Sequence, residues 1–197
     1  MTVANTRTRY GTAAMTLHWL IAALIVANIC IGLYFGELPR ADANLFFLVQ
    51  THKSIGLTVL VLSLIRLGWR LVNPVPPLPA GMSAPLRFLA HATHFLLYFL
   101  IIAIPLSGWA LVSSSALGLP TIYFGLFQWP HIPFLAGLTR AQKMPVHHQL
   151  DNIHVFLAWS AIVLIPLHVG AALFHQFWRR DDVLKRMLPG TRIANLP

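Results

Sequence analysis

The chain has 197 residues, of which 57% are hydrophobic and only 10% charged, too apolar and too poorly charged for an ordinary soluble domain. Its formal net charge of +9 would suggest a nucleic-acid partner in a soluble chain. Here the basic residues lie between and beside long apolar runs, so they read as topology signals and nucleic acid is excluded as a partner. The single cysteine, Cys30, rules out an intrachain disulfide, a cysteine-ligated zinc site and covalent haem attachment through a CxxCH motif.

Four stretches, approximately residues 13–35, 49–72, 86–112 and 152–178, are long enough to cross about 30 Å of hydrocarbon as helices rising about 1.5 Å per residue. The first, with Thr12 as a plausible N-cap, is too long for the apolar core of a signal peptide. It carries an interior histidine and ends in Leu33, Tyr34 and Phe35, not in small residues, so it reads as a retained span. The second is separated from the third by the Pro-rich segment 73–85, which cannot continue a helix. Pro105 and Pro166 fall inside the third and fourth spans, where neighbouring helices can satisfy the freed carbonyls. The long connection 113–148, rich in Pro, Gly and aromatic residues, reads as a cap with interfacial pieces. The expected fold is an all-α membrane protein, one four-transmembrane-helix domain over residues 1–197.

Both termini then share one side. Arg7, Arg9, Arg66, Arg70, Arg87, Arg179, Arg180, Lys185, Arg186 and Arg192 fall on that side, against Arg40, Lys53, Arg140 and Lys143 on the other. Ten against four makes the termini cytoplasmic.

Six of the 10 histidines lie in or at the ends of spans: His18, His52, His91, His94, His154 and His168. A titratable ring in hydrocarbon is costly unless it faces the protein interior and has a partner. Any one of them alone reads as a helix-to-helix hydrogen bond; the pattern says more. His154 and His168 are fourteen residues apart, which places them about 40° apart around one helix and roughly 21 Å apart along it. His18 shares a depth with His168 near the cytoplasmic side, and His52 shares one with His154 near the outer side. Two bis-histidine pairs at two depths are what two stacked six-coordinate haems require.

Arg66 and Arg70 follow His52 by fourteen and eighteen residues and project from the same face. Either could pair with haem propionates, or serve as ordinary positive-inside anchors. Gly32 and Gly108 follow His18 and His94 by fourteen and leave space for a ring. His91 or His94 could replace His18 as a ligand. No Asp or Glu lies inside a span, which disfavours a histidine-lined metal or proton transporter.

At these residues the chain resembles the bacterial cytochrome b561 family over nearly its whole length. The motifs are Leu17-His18-Trp19-Leu20; His52-Lys53-Ser54-Ile55-Gly56 with Arg66-Leu67-Gly68-Trp69-Arg70; His94 with Tyr98 and Pro105-Leu106-Ser107-Gly108-Trp109; Asn152-Ile153-His154 and Leu167-His168; and the tail from Ala171 to His175, Arg180-Asp181 and Arg186-Met187-Leu188-Pro189. The resemblance implies a multi-pass protein of the bacterial inner membrane that binds two haem b groups, with His18, His52, His154 and His168 as axial ligands and His94 as a haem-edge contact. It further implies superoxide oxidation at the periplasmic face with ubiquinone as electron acceptor. The alternative is a cytochrome b subunit that passes electrons between a partner dehydrogenase or hydrogenase and the quinone pool, its donor being a redox protein. For superoxide, an anion, Lys53 beside His52 is the expected attracting charge, with Arg140 and Lys143 in the outer loop. For quinone, which takes up protons, His175 is the expected donor and quinone contact, seven residues beyond His168 on nearly the same face; a histidine among lipid headgroups is the rival reading. His131, His147 and His148 are expected in solvent.

Overall fold

The computed structural model describes residues 2–79 and 81–191; Arg192, counted above among the basic residues, lies outside them. In chain order the elements are α1 (Thr12–Gly36), α2 (Leu45–Val72), α3 (Ala84–Ser113), the hairpin β1 (Thr121–Tyr123) and β2 (Phe127–Trp129), the single turn α4 (Pro133–Ala136), and α5 (Arg140–Phe174). A π-helical turn (His175–Arg179) and a 3₁₀ turn (Lys185–Met187) follow.

Helices α1, α2 and α3 have 25, 28 and 30 residues, and α5 with its π-turn has 40. Even the shortest exceeds the roughly 20 residues needed to cross a bilayer. Their surfaces carry large apolar side chains such as Phe47, Phe88, Phe95, Phe156, Val163 and Leu167, each more than half exposed. Such surface is unfavourable in water and suited to lipid. The chain is thus an all-α, four-span membrane bundle.

Three features depart from the sequence expectations. The fourth long helix starts at Arg140, not near residue 152, because its first three turns are polar; hydropathy marks what lies in lipid, whereas helicity continues beyond it. Residues 113–148 accordingly hold a hairpin, a helical turn and the start of α5. Finally, the N-cap position of α1 belongs to Gly11, not to Thr12: the Gly11 carbonyl accepts from Met15 N–H at 3.1 Å. The first amides of α1 are satisfied by returning backbone, Thr12 N–H by Thr2 O at 3.0 Å and Ala13 N–H by Val3 O at 3.4 Å. A side chain on Gly11 would collide with the Val3 carbonyl.

Contacts divide the chain into two compact units, each drawing a part from all four long helices. One comprises the residues up to Ile21, Leu62–Phe99 and the described residues from Ala161 on. In it the terminal segments are tied together: Arg9 donates to Thr191 O at 2.6 Å and Leu188 O at 2.8 Å, and Trp19 Nε1 to Met187 O at 2.8 Å.

The other unit comprises Ala22–Val61 and Leu100–Ser160. Its hairpin pairs Thr121 with Trp129 and Tyr123 with Phe127. A polar stripe at i, i+4 and i+8 on α2 holds it. Gln50 donates to Pro120 O at 2.8 Å and accepts from Ile122 N–H at 3.0 Å. Ser54 accepts from Phe124 N–H at 2.9 Å, and the Thr58 and Tyr123 hydroxyls lie 2.9 Å apart. The hairpin turn needs two left-handed residues, Phe124 (φ 46) and Gly125 (φ 75). A bulky residue rarely adopts that conformation, and the Ser54 contact helps retain it.

Candidate functional site

In the second unit His52 on α2 and His154 on α5 face each other, ring centres 6.2 Å apart and planes at 82°. Two metal–nitrogen bonds of about 2 Å each, with half a ring on either side, span roughly 6 Å between ring centres. The spacing therefore suits one iron between two imidazoles. Each ring is fixed from behind. His52 Nδ1 lies 3.1 Å from Asn28 O, and His154 Nδ1 lies 3.1 Å from Ile104 O and 2.9 Å from Ser107 Oγ. Donation from Nδ1 to a carbonyl leaves Nε2 with its lone pair free for a metal.

Each of those carbonyls stands four residues before a glycine. A Cβ on Gly32 would come within 3.1 Å of His52 Cε1, and one on Gly108 within 3.0 Å of His154 Cε1. The space left by both glycines is occupied by an imidazole of the facing helix, so they make room for the rings of His52 and His154 directly. Phe35 adds an edge contact to His52, ring centres 5.2 Å apart.

In the first unit His18 on α1 and His168 on α5 have ring centres 6.4 Å apart, planes at 78°, again the spacing of two ligands across one iron. His94 on α3 stands 5.4 Å from His168, too close to share such an axis, and its Nδ1 lies 2.7 Å from Ala90 O of its own helix. His91 is exposed.

Arg66 and Arg70 converge on Tyr98. Arg66 Nε donates to the Tyr98 hydroxyl at 3.1 Å and Nη1 to Ala14 O at 3.3 Å, while the two guanidinium carbons lie 5.7 and 5.3 Å from the ring centre. Neither forms an ion pair with an acidic side chain among the described residues. Two cations without a carboxylate fit a cofactor that brings its own, as the propionates of haem do. Paired imidazoles at iron-ligand spacing, glycines that make room for them and acid-free arginines together fit haem b.

Lys53 follows His52 on α2 and is half-buried, without an ion-pair partner among the described residues. The His131 imidazole, between β2 and α4, is held below the ordinary histidine range by partial burial first and then by the charges of Lys53 and Lys143. Its Nε2 is buried without a partner among the described residues, so His131 is less free than the solvent-exposed residue expected. His147 Nδ1 likewise lies 3.0 Å from Leu111 O, while His148 is exposed. His175 opens the π-turn and contacts Asp181 across 2.5 Å.

Sequence reasoning named Ser107 and Asp181 only within motifs, with no role, and missed the Asn28 and Ile104 carbonyls. A serine one residue before the glycine of a proline-containing span was the available signal for Ser107; backbone carbonyls carry none.

The sequence model of the family described as prokaryotic cytochrome b561 matches residues 9–190. The chain is 36% identical over 189 residues to "Cytochrome b561 homolog 2" of Escherichia coli (strain K12), covering 95% of each chain. It is 30% identical over 184 residues to "Probable superoxide oxidase CybB" of Yersinia pestis, covering 93% of this chain and 98% of that one. It is also 30% identical over 187 residues to "Cytochrome b562" of Cereibacter sphaeroides, covering 91% and 94%. The chain belongs to the prokaryotic cytochrome b561 family, bacterial membrane proteins that bind b-type haem and transfer electrons across the membrane.

Proposed function

We propose that this protein is a superoxide:ubiquinone oxidoreductase of the inner membrane, with two haem b groups and cytoplasmic termini. The observation that carries the reading is the pair of histidine couples, His52 with His154 at 6.2 Å and His18 with His168 at 6.4 Å. Fourteen residues of one helix separate His154 from His168, so each couple serves its own haem, one near each membrane surface.

Haem b supplies a reversible one-electron couple at iron. The chain supplies the rest. The Asn28 and Ile104 carbonyls hold the periplasmic imidazoles in one tautomer and orientation. Arg66 and Arg70 would hold the propionates of a haem at the cytoplasmic site, and His94 would contact its edge. Lys53 draws the superoxide anion toward the periplasmic site. His175 contacts the quinone and hands it a proton on the cytoplasmic side. The name of the Yersinia relative, at 30% identity, agrees with superoxide as donor.

The test is to add a superoxide-generating system to the purified protein while recording its visible spectrum. The haem bands should shift to the reduced form and return when a short-chain ubiquinone is added. A spectrum inert to superoxide, together with copurification of a dehydrogenase or hydrogenase, would replace this reading by that of a partner-fed cytochrome b subunit.

A further inference from the structure

Helix α5 leaves regular geometry where it meets the tail. His175–Arg179 forms a π-turn, and Arg180 takes a left-handed conformation (φ 54, ψ 34) that reverses the chain. Asp181 N–H then donates back to His175 O at 3.2 Å. That backbone bond is an ordinary way to end a helix; the side chains go further. Asp181 Oδ2 accepts from His175 Nδ1 at 2.5 Å, and Oδ1 accepts from Val183 N–H at 3.2 Å. Arg179 Nε lies 3.9 Å from the same Oδ2.

Residues six apart on a regular α-helix point about 120° apart around its axis and do not share a face. The π-turn and the left-handed Arg180 are therefore what bring this carboxylate onto this ring. Backbone conformations that cost energy, gathered where two titratable side chains meet, are characteristic of functional sites. Both side chains are largely enclosed, 16% and 20% exposed. The other charged neighbours do not compete for Asp181: Lys185 is engaged by Asp182 at 3.1 Å. Among the described residues, Arg7, Arg9, Arg66, Arg70, Arg87 and Arg180 form no ion pair with it.

We infer that Asp181 is a positioning residue that fixes His175 with a proton on Nδ1, leaving Nε2 as the nitrogen that delivers protons to a quinone oxygen; this rests on quinone reduction as proposed above. Ubiquinone becomes ubiquinol by taking two electrons, released as two superoxide ions become two O₂, and two protons. The Nε2–H bond of the imidazolium breaks as a quinone O–H forms. Water on the cytoplasmic side then reprotonates the neutral ring, and the second proton follows the same route.

The test uses the full-length, haem-loaded protein. Haems reduced by superoxide are reoxidised with decylubiquinone between about pH 5 and 8, the range over which histidine changes charge. Wild-type reoxidation should slow as pH rises. Asp181→Asn should be about tenfold slower, because nothing then holds the His175 ring with its proton on Nδ1. Asp181→Glu should recover the rate. His175→Gln should abolish the pH step, and it carries the test if Asp181→Asn fails to retain haem. Haem reduction by superoxide should be unchanged in Asp181→Asn and Asp181→Glu.

A wild-type reoxidation rate in Asp181→Asn, or a wild-type pH profile in His175→Gln, overturns the inference. Should wild-type protein accept electrons from superoxide yet release none to quinone at any pH, it is the quinone reading that fails. The positioning claim is then decided by ¹⁵N spectra of histidine-labelled protein. A Nδ1-protonated His175 that loses this preference in Asp181→Asn upholds it, and a Nε2-protonated His175 in the wild type refutes it.

Discussion

Replacing Gly108 by alanine should selectively weaken the haem held by His52 and His154. The new methyl carbon would stand 3.0 Å from His154 Cε1 and 3.3 Å from Nδ1, where ordinary van der Waals contact begins at 3.4 Å, so the ring must retreat by about 0.4 Å. It has little freedom to do so, because its Nδ1 is fixed by Ile104 O at 3.1 Å and Ser107 Oγ at 2.9 Å, and the other edge of the ring must meet iron. Overpacking of this kind costs about 1–3 kcal/mol, which corresponds to roughly 5- to 150-fold weaker haem binding. The assay is the rate of haem loss to excess apomyoglobin, with the remaining haem identified from its low-temperature spectrum. Gly32→Ala, whose Cβ would meet His52 at 3.1 Å, should weaken the same haem, and Gly170→Ala, with open space around it, should leave both haems unaltered. Equal haem retention in Gly108→Ala and Gly170→Ala would refute the view that these glycines exist to seat the ligand rings.

Arg66→Gln should lower the midpoint potential of the haem held by His18 and His168 by on the order of 50 mV, since a nearby cation favours the reduced form; spectroelectrochemical titration measures it. Lys53→Gln should slow haem reduction by superoxide about tenfold at low ionic strength and much less at high salt, where the steering charge is screened; stopped-flow absorbance at two salt concentrations separates the cases. A third expectation concerns acid stability. His131 is held below the ordinary histidine range, so on acidification the unfolded chain takes up this proton first, near pH 6.5. Stability associated with the outer loop should therefore fall as pH drops below about 6.5. His131→Gln should reduce that fall, as read by thermal unfolding at several pH values.

The long spans were legible because apolar length is a sequence property, and the histidine couples because fourteen residues bring an α-helix back to nearly the same face. What could not be read depends on contacts between distant segments. The start of α5 at Arg140 was hidden because Gln142, Lys143, His147 and His148 are polar, and polarity says nothing against a helix that projects beyond lipid. Gly32 and Gly108 were recognisable as space for a ring, but spacing along their own helices did not reveal that the rings are those of His52 and His154. The stripe Gln50, Ser54 and Thr58 has helical periodicity, yet its partners are backbone groups and the Tyr123 hydroxyl of a hairpin about seventy residues away. The Asp181 contact with His175 depends on a left-handed Arg180, for which an arginine offers no local signal.

The most direct measurement is the haem content and low-temperature spectrum of His154→Ala and His168→Ala, purified side by side with the wild type. Two haems per wild-type chain and one in each variant are expected, the two variants lacking spectrally different haems. Retention of both haems in either variant, or loss of the same haem in both, would contradict it.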